Sequence, residues 1–287
     1  MISMTYRKLL VPLNGTERDN QVLTAAFDIA KPCRAHVMGL YVRPDPAEVL
    51  PYLGEGISAS VLQEIMDAAR ASSGRSAAAA RAALDQYAKQ NEAPTLDSTG
   101  YSASFALRDG PADIMIADEA RLSDLVVFPL PGASGHVSLR EIIETTLLNG
   151  RSPVLLVPKE KHPIYSTKVM IAWDGGSTAA RAVAASIPML KTASSIEILN
   201  VSTGSIETSE MDRLRDYLRL YGLSATEHGI NPGGQNTGAA LLDAASRAQA
   251  GVLVLGGYGH SRIRELVMGG VTRHVLAEAT LPIFMAH

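Results

Sequence analysis

Lys8-Leu-Leu-Val-Pro-Leu-Asn-Gly15 returns later in the chain as Lys168-Val-Met-Ile-Ala-Trp-Asp-Gly175. Each stretch is a short apolar run that ends in a turn signal, the pattern of a strand buried on both faces of a parallel sheet. Each is followed by a segment of helical rhythm. Residues 19–30 carry Val22, Leu23, Ala26, Phe27 and Ile29 at near-helical spacing, and residues 178–190 follow the second copy. A self-similarity of this kind governs the whole organisation of a chain.

The flanking sequence extends both copies in step. After the first, strands are expected at 36–42, 101–107, 124–128 and 153–158. One long helix or two joined ones with Ser72-Ser-Gly74 as the candidate break are expected at 59–89, and further helices at 111–120 and 139–148. After the second, strands fall at 195–201, 224–228, 252–255 and 282–286, and helices at 211–221, 237–248 and 271–279. The expected architecture is α/β, with two tandem doubly wound five-stranded parallel-sheet domains at 1–158 and 168–287. A charged, proline-containing linker near 159–167 joins them. Their last strands, 154–157 and 283–286, are apolar edges that would invite foreign pairing if left open, so the two units are expected to pack on each other as an internal pseudo-dimer. Whether two chains then associate as a homodimer is left open.

Bulk properties narrow the function classes. A chain of 287 residues with 46% hydrophobic and 19% charged residues is large enough for two cores and shows no signature of disorder. A net charge of −3 and the lack of a clustered Lys/Arg stripe argue against nucleic acid as a partner. One cysteine, Cys33, excludes an internal disulfide framework and fits a reducing cytoplasm. No apolar run reaches the roughly 20 residues of a spanning helix, and no export signal is read, so neither membrane nor secretion is expected.

The candidate chemistry lies between Gly256 and Thr272: Gly-Gly-Tyr-Gly-His-Ser-Arg-Ile-Arg-Glu-Leu-Val-Met-Gly-Gly-Val-Thr. It follows the apolar run Gly251-Val-Leu-Val-Leu255, so a strand empties into a glycine-rich loop and a second glycine pair, Gly269-Gly270, opens a helix. Glycine lets backbone N–H groups approach an anion, and a helix start adds unpaired donors and partial positive charge. In a doubly wound sheet, ligands sit outside the carboxyl ends of the strands where strand order reverses. That rule places Ala172-Trp173-Asp174-Gly175 and the loop after Leu255 on one rim.

These residues resemble the universal stress protein family in its tandem form. The likeness covers nearly the whole chain. Its specific part is Gly256-x2-Gly259-x9-Gly269-Gly270, similar to the family's nucleotide motif of Gly, two residues, Gly, nine residues, Gly and then Ser or Thr. The resemblance implies a Rossmann-like fold of the adenine nucleotide alpha hydrolase type, ATP or AMP as ligand, and pairing through the last strands. It implies that Gly256, Gly259, Gly269 and Gly270 surround phosphates, that Asp174 holds the nucleoside, and that Asn200 and Val201 offer backbone groups to adenine. Gly270 stands where Ser or Thr is usual, with Thr272 as a partial substitute for the hydroxyl beside Val271. In the first unit Phe128-Pro-Leu-Pro-Gly-Ala-Ser-Gly-His136 lacks the spacing and Asn14 replaces the acid, so that half is expected to be non-binding or altered.

Several residues keep two readings. Asp174 can hold a ribose diol or cap the following helix. His260 and Ser261 can reach phosphate oxygens or lie at the surface. Arg262 and Arg264 can be solvated or touch a γ-phosphate, and Glu265 can pair with either. Trp173 reads first as a packing residue and second as a base-stacking platform. Neither a Gly-x4-Gly-Lys-Ser/Thr phosphate loop nor a Gly-x-Ser-x-Gly elbow is present, and the histidines lack metal-ligand spacing. Mg²⁺ arriving with ATP is compatible with this. Three functions remain: a nucleotide-binding module without catalysis, a slow ATP hydrolase in which His260 or Glu265 orders a water, and a nucleotide-free scaffold.

Overall fold

The computed structural model describes residues 5–44, 58–95, 100–131, 137–160, 162, 164, 167–200, 208–230, 234, 236–259 and 270–287. Strands and helices alternate from the start. The first half runs β1 (Lys8–Leu13), α1 (Asp19–Cys33), β2 (His36–Arg43), α2 (Ala59–Gln90), β3 (Ser102–Asp109), α3 (Ala112–Ala120), β4 (Leu125–Pro129), α4 (Val137–Thr145) and β5 (Val154–Val157). The second half runs β6 (Lys168–Trp173), α5 (Ser177–Leu190), β7 (Ser195–Asn200), α6 (Thr208–Leu220), β8 (Thr226–Gly229), α7 (Thr237–Arg247), β9 (Val252–Gly256), α8 (Gly270–Glu278) and β10 (Ile283–Ala286).

The two expected sheets are one. Ten strands lie in the order β3-β2-β1-β4-β5-β10-β9-β6-β7-β8. Neighbours are parallel except at the centre, where β10 runs antiparallel to β5 with Ile283 opposite Leu156, Phe284 opposite Leu155 and Met285 opposite Val154. Apolar edges that would otherwise offer unpaired backbone to a foreign strand satisfy each other here. Alternation along the strands sends Leu155 and Phe284 to one core, with Leu9, Phe27, Ile171 and Ile187. The same alternation sends Leu156, Ile283 and Met285 to the other, with Leu10, Ile116, Met170 and Leu241. Both cores therefore run across the seam.

Of the two readings of residues 59–89 the single helix holds: α2 is unbroken over 32 residues, because one glycine costs only about 1 kcal/mol within an alanine-rich helical run. Two local expectations change. The helix expected at 139–148 ends as α at Thr145 and continues as one π-helical turn, Thr146–Gly150, before Arg151 turns left-handed at φ 54°. β8 is shifted to Thr226–Gly229 and is exposed along its length as the sheet's outer strand.

A histidine joins the first half's edge. The His36 ring lies 2.9 Å (Nδ1) from Ser102 Oγ and 2.8 Å (Nε2) from Ser104 Oγ. Ser102 Oγ–H already donates to Gly100 O at 3.0 Å, so Nδ1 is the donor to Ser102 and Nε2 accepts from Ser104. Burial, with the nearby Lys8 charge, holds the His36 pKa below its usual value. A base with a depressed folded pKa contributes stability above its unfolded value of about 6.5 and loses it as pH falls through the folded value. The thermal midpoint should therefore drop on acidification from about pH 7.5 to pH 5, and drop less in His36→Gln. At the seam, Phe284 is fully buried, and Phe284→Ala should cost about 3–5 kcal/mol in chemical unfolding.

Candidate functional site

The second half's rim is set by strand register. Trp173 lies opposite Asn200 across β6 and β7, and Ile171 lies opposite Val254 across β6 and β9. Asp174, Asn200 and Gly256 thus leave the sheet at one edge, on neighbouring strands about 4.8 Å apart. β6 leads to β7 on one side while β9 lies on its other side, so this edge is the point where strand order reverses. Gly175 turns the chain at φ +74°, a left-handed conformation that favours glycine. The Asp174 carboxylate is exposed, and its Oδ1 accepts from the Gly176 N–H at 2.8 Å. Gly176 is the N-cap of α5 and supplies no side-chain cap. Asp174 thus stabilises the turn that enters the helix while presenting charge to the crevice.

The loop after β9 is pressed onto this helix start. A Cβ on Gly256 would lie 2.5 Å from Ala179 N and 2.6 Å from Thr178 Oγ1, and one on Gly259 would lie 2.6 Å from the same hydroxyl. These two glycines therefore have a packing cause of their own. The next residues are tied elsewhere. Gly257 N–H donates to Ala286 O at 2.9 Å, and His287 Nδ1 lies 3.1 Å from Gly257 O. Tyr258, left-handed at φ 60°, is largely buried against the core that includes Ile143 and Leu147 of the first half. Burial raises its phenol pKa, with the Glu144 carboxylate adding to the rise and the Arg140 guanidinium opposing it.

The other candidates divide. Ala172 is buried on the sheet face that α7 and α8 cover. Trp173 is 6% exposed on the opposite face, packed with Val169, Ile171 and Ile187, and Nε1 has no hydrogen-bond partner among the described residues. It is a packing residue. Gly270 opens α8, and a Cβ there would meet nothing within 4 Å among the described residues. Val271 is half-buried against the core, and Thr272 is 5% exposed. Val201, His260, Ser261, Gly269, Arg262, Arg264 and Glu265 lie outside the described residues. No group of His, Cys, Asp or Glu suited to a metal is found among the described residues.

The first half shows what the sequence reading missed. An offset of 160 residues carries Lys8 to Lys168 and Gly15 to Gly175, whose φ values are +75° and +74°. Seven of the eight buried positions of α1 then fall on buried positions of α5, and Asp19 falls on Ala179. The Asp19 carboxylate is 3% exposed and accepts from Asn14 N–H at 3.0 Å and Gly15 N–H at 2.8 Å. Burial raises its pKa, and those two hydrogen bonds oppose the rise. The strand-end turn thus carries its own internal anion. By strand register Pro129 stands where the second half has Gly256. A Cβ on Gly15 would collide with the Ser76 backbone of α2, whereas one on Gly175 would meet nothing within 4 Å among the described residues. Placing the halves side by side at that offset would have exposed the exchange of Asp19 for Ala179, whereas Pro129 and Gly256 are matched only by strand register.

No family model matches the sequence, and no curated protein matches it. Among solved structures, the chain is similar to a universal stress protein from Archaeoglobus fulgidus DSM 4304, with a TM-score of 0.67 and 17% identity, covering 97% of this chain and 95% of that one. This is the universal stress protein fold. A functionally unknown protein from Pseudomonas aeruginosa PAO1 aligns at a TM-score of 0.60 and 16% identity, covering 98% of this chain and 92% of that one. A candidate universal stress protein from Pseudomonas aeruginosa UCBPP-PA14 aligns at 0.59 and 16%, covering 98% and 93%. In each case the alignment spans both halves of this chain.

The glycines of this fold can be separated by their surroundings. Gly256→Ala should cost about 1–3 kcal/mol in urea unfolding, because backbone has to yield. Gly270→Ala should leave stability unchanged or raise it by up to about 1 kcal/mol.

Proposed function

We propose that the crevice at the carboxyl edge of β6, β7 and β9 binds an adenine nucleotide, ATP or AMP, and that the protein acts through binding rather than catalysis. The observation that carries this reading is the Asp174 carboxylate, exposed at the strand-order switch and held by the Gly176 N–H. A fixed carboxylate suits the diol of a ribose. The same turn in the first half is filled by Asp19, whereas the second half has Ala179 at that position.

The residues present fit such a ligand. Asp174 would take the ribose, and the backbone of Asn200 and Val201 would meet the base. Phosphates would lie toward Gly259, His260 and Ser261 and toward the Gly269-Gly270 start of α8, where helix N–H groups favour anions. Mg²⁺ would arrive with ATP. The glycine spacing and the shared fold support the same reading. On this reading residues 1–158 and 168–287 are two domains, only the second keeps a nucleotide site, and occupancy adjusts a partner or the assembly of the chain in a stress response.

Calorimetric titration with ATP and AMP tests it. Asp174→Ala should weaken binding at least about tenfold, equivalent to roughly 1.4 kcal/mol. Gly270→Val should weaken it similarly by crowding the helix start. Gly270→Ser should tighten it about two- to tenfold through one added hydrogen bond. Undetectable binding to the unaltered protein, or unchanged binding in Asp174→Ala, would remove the proposal.

A further inference from the structure

We propose that the first half holds a second ligand site, for a small uncharged apolar molecule, in the crevice at the carboxyl ends of β1, β2 and β4. This crevice has a volume of about 140 Å³ more than the ~150 Å³ cavity known to take benzene, at 290 Å³. By that scale it accepts about a dozen non-hydrogen atoms, too few for a nucleoside triphosphate. Its walls come from five elements: Pro12 of β1, Val42 of β2, Ile116 of α3, Pro129 of β4, and Leu139 and Ile142 of α4. The crevice occupies the place in its half that the proposed nucleotide crevice occupies in the other.

Charge and hydrogen bonding decide the ligand class. An anion at a strand end needs free backbone donors. Here the Asn14 and Gly15 N–H groups are taken by Asp19. The Leu130 N–H is taken by Val157 O at 2.7 Å, and Pro129 has no N–H to give. Asp19 also lines the crevice, so an entering carboxylate or phosphate meets a like charge at short range in low dielectric. Arg18, also on the lining, is exposed, and a solvated guanidinium compensates little for that repulsion. An uncharged apolar molecule meets neither obstacle and gains from the removal of apolar surface from water. This site does not depend on the nucleotide reading of the second half.

Paired probes with one ring system test the inference. Naphthalene-1-methanol is uncharged, and 1-naphthoate carries a carboxylate on the same framework. Titration of the full chain followed by probe fluorescence should show saturable one-to-one binding of the alcohol at about tens of micromolar, with naphthoate at least about tenfold weaker. Leu139→Trp and Ala112→Phe, each at a half-buried lining position, should each abolish alcohol binding while circular dichroism and thermal midpoint stay unchanged. Asp19→Asn, which removes charge at constant size, should shrink the preference for the alcohol to below about threefold. ATP should leave the alcohol titration unchanged. Absence of saturable binding, retention of it in both filled variants, displacement by ATP, or an unchanged preference in Asp19→Asn would each overturn the proposal.

Discussion

Backbone pairing between Val154–Val157 and Ile283–Ala286 is the constraint on which the rest of this molecule depends. A parallel sheet of five strands that ended at β5 or at β10 would present a row of unpaired N–H and C=O groups flanked by fully buried side chains. Joined antiparallel, the two edges close each other, and both layers of the core pass through the junction. Strand direction then turns the carboxyl edges of the two halves to opposite sides of the sheet. The first half's crevice and the proposed site of the second are thereby built from equivalent elements without competing for the same space.

What separates the halves is how each satisfies the backbone at the end of its first strand. Both use a left-handed glycine, Gly15 or Gly175, and both have an Asx side chain accepting from the residue two positions on: Asn14 from Thr16 N–H and Asp174 from Gly176 N–H. One half adds a buried carboxylate and covers the turn with the long α2. The other puts alanine in place of the carboxylate and leaves Gly175 open. That exchange of side chain, Asp19 for Ala179, leaves two backbone N–H groups of one turn occupied by a buried carboxylate that the other turn lacks. The scaffold is shared, and the chemistry is decided by a few residues set upon it.

Much of this was legible in the sequence because it depends on local pattern. The repeated apolar run, the alternation of strand and helix, and the pairing of the last strands follow from periodicity and from the cost of open edges. Other features depend on contacts between distant residues. Gly256 and Gly259 were read as approach points for a phosphate, yet each also lies against Thr178, a residue about 80 positions earlier. Asp19 looked like an ordinary acid in a first helical turn, and only the folded turn brings it onto two backbone N–H groups. The glycine at position 74 suggested a break, but a long alanine-rich helix absorbs one weak helix former. Trp173 was correctly weighted toward packing, since alternation alone assigns it the face opposite Ala172.

Tyr258 carries a further consequence. It belongs to the glycine-rich loop of the second half, but it packs on a core shared by both halves and feels the charges of Arg140 and Glu144 of α4, and α4 also supplies Leu139 and Ile142 to the first half's crevice. The adjacent Gly257 closes against Met285 and, beyond it, Leu147. The start of the loop that follows β9 is therefore fixed by contacts that cross between the halves, so unfolding of either half would leave apolar surface of the other open to water.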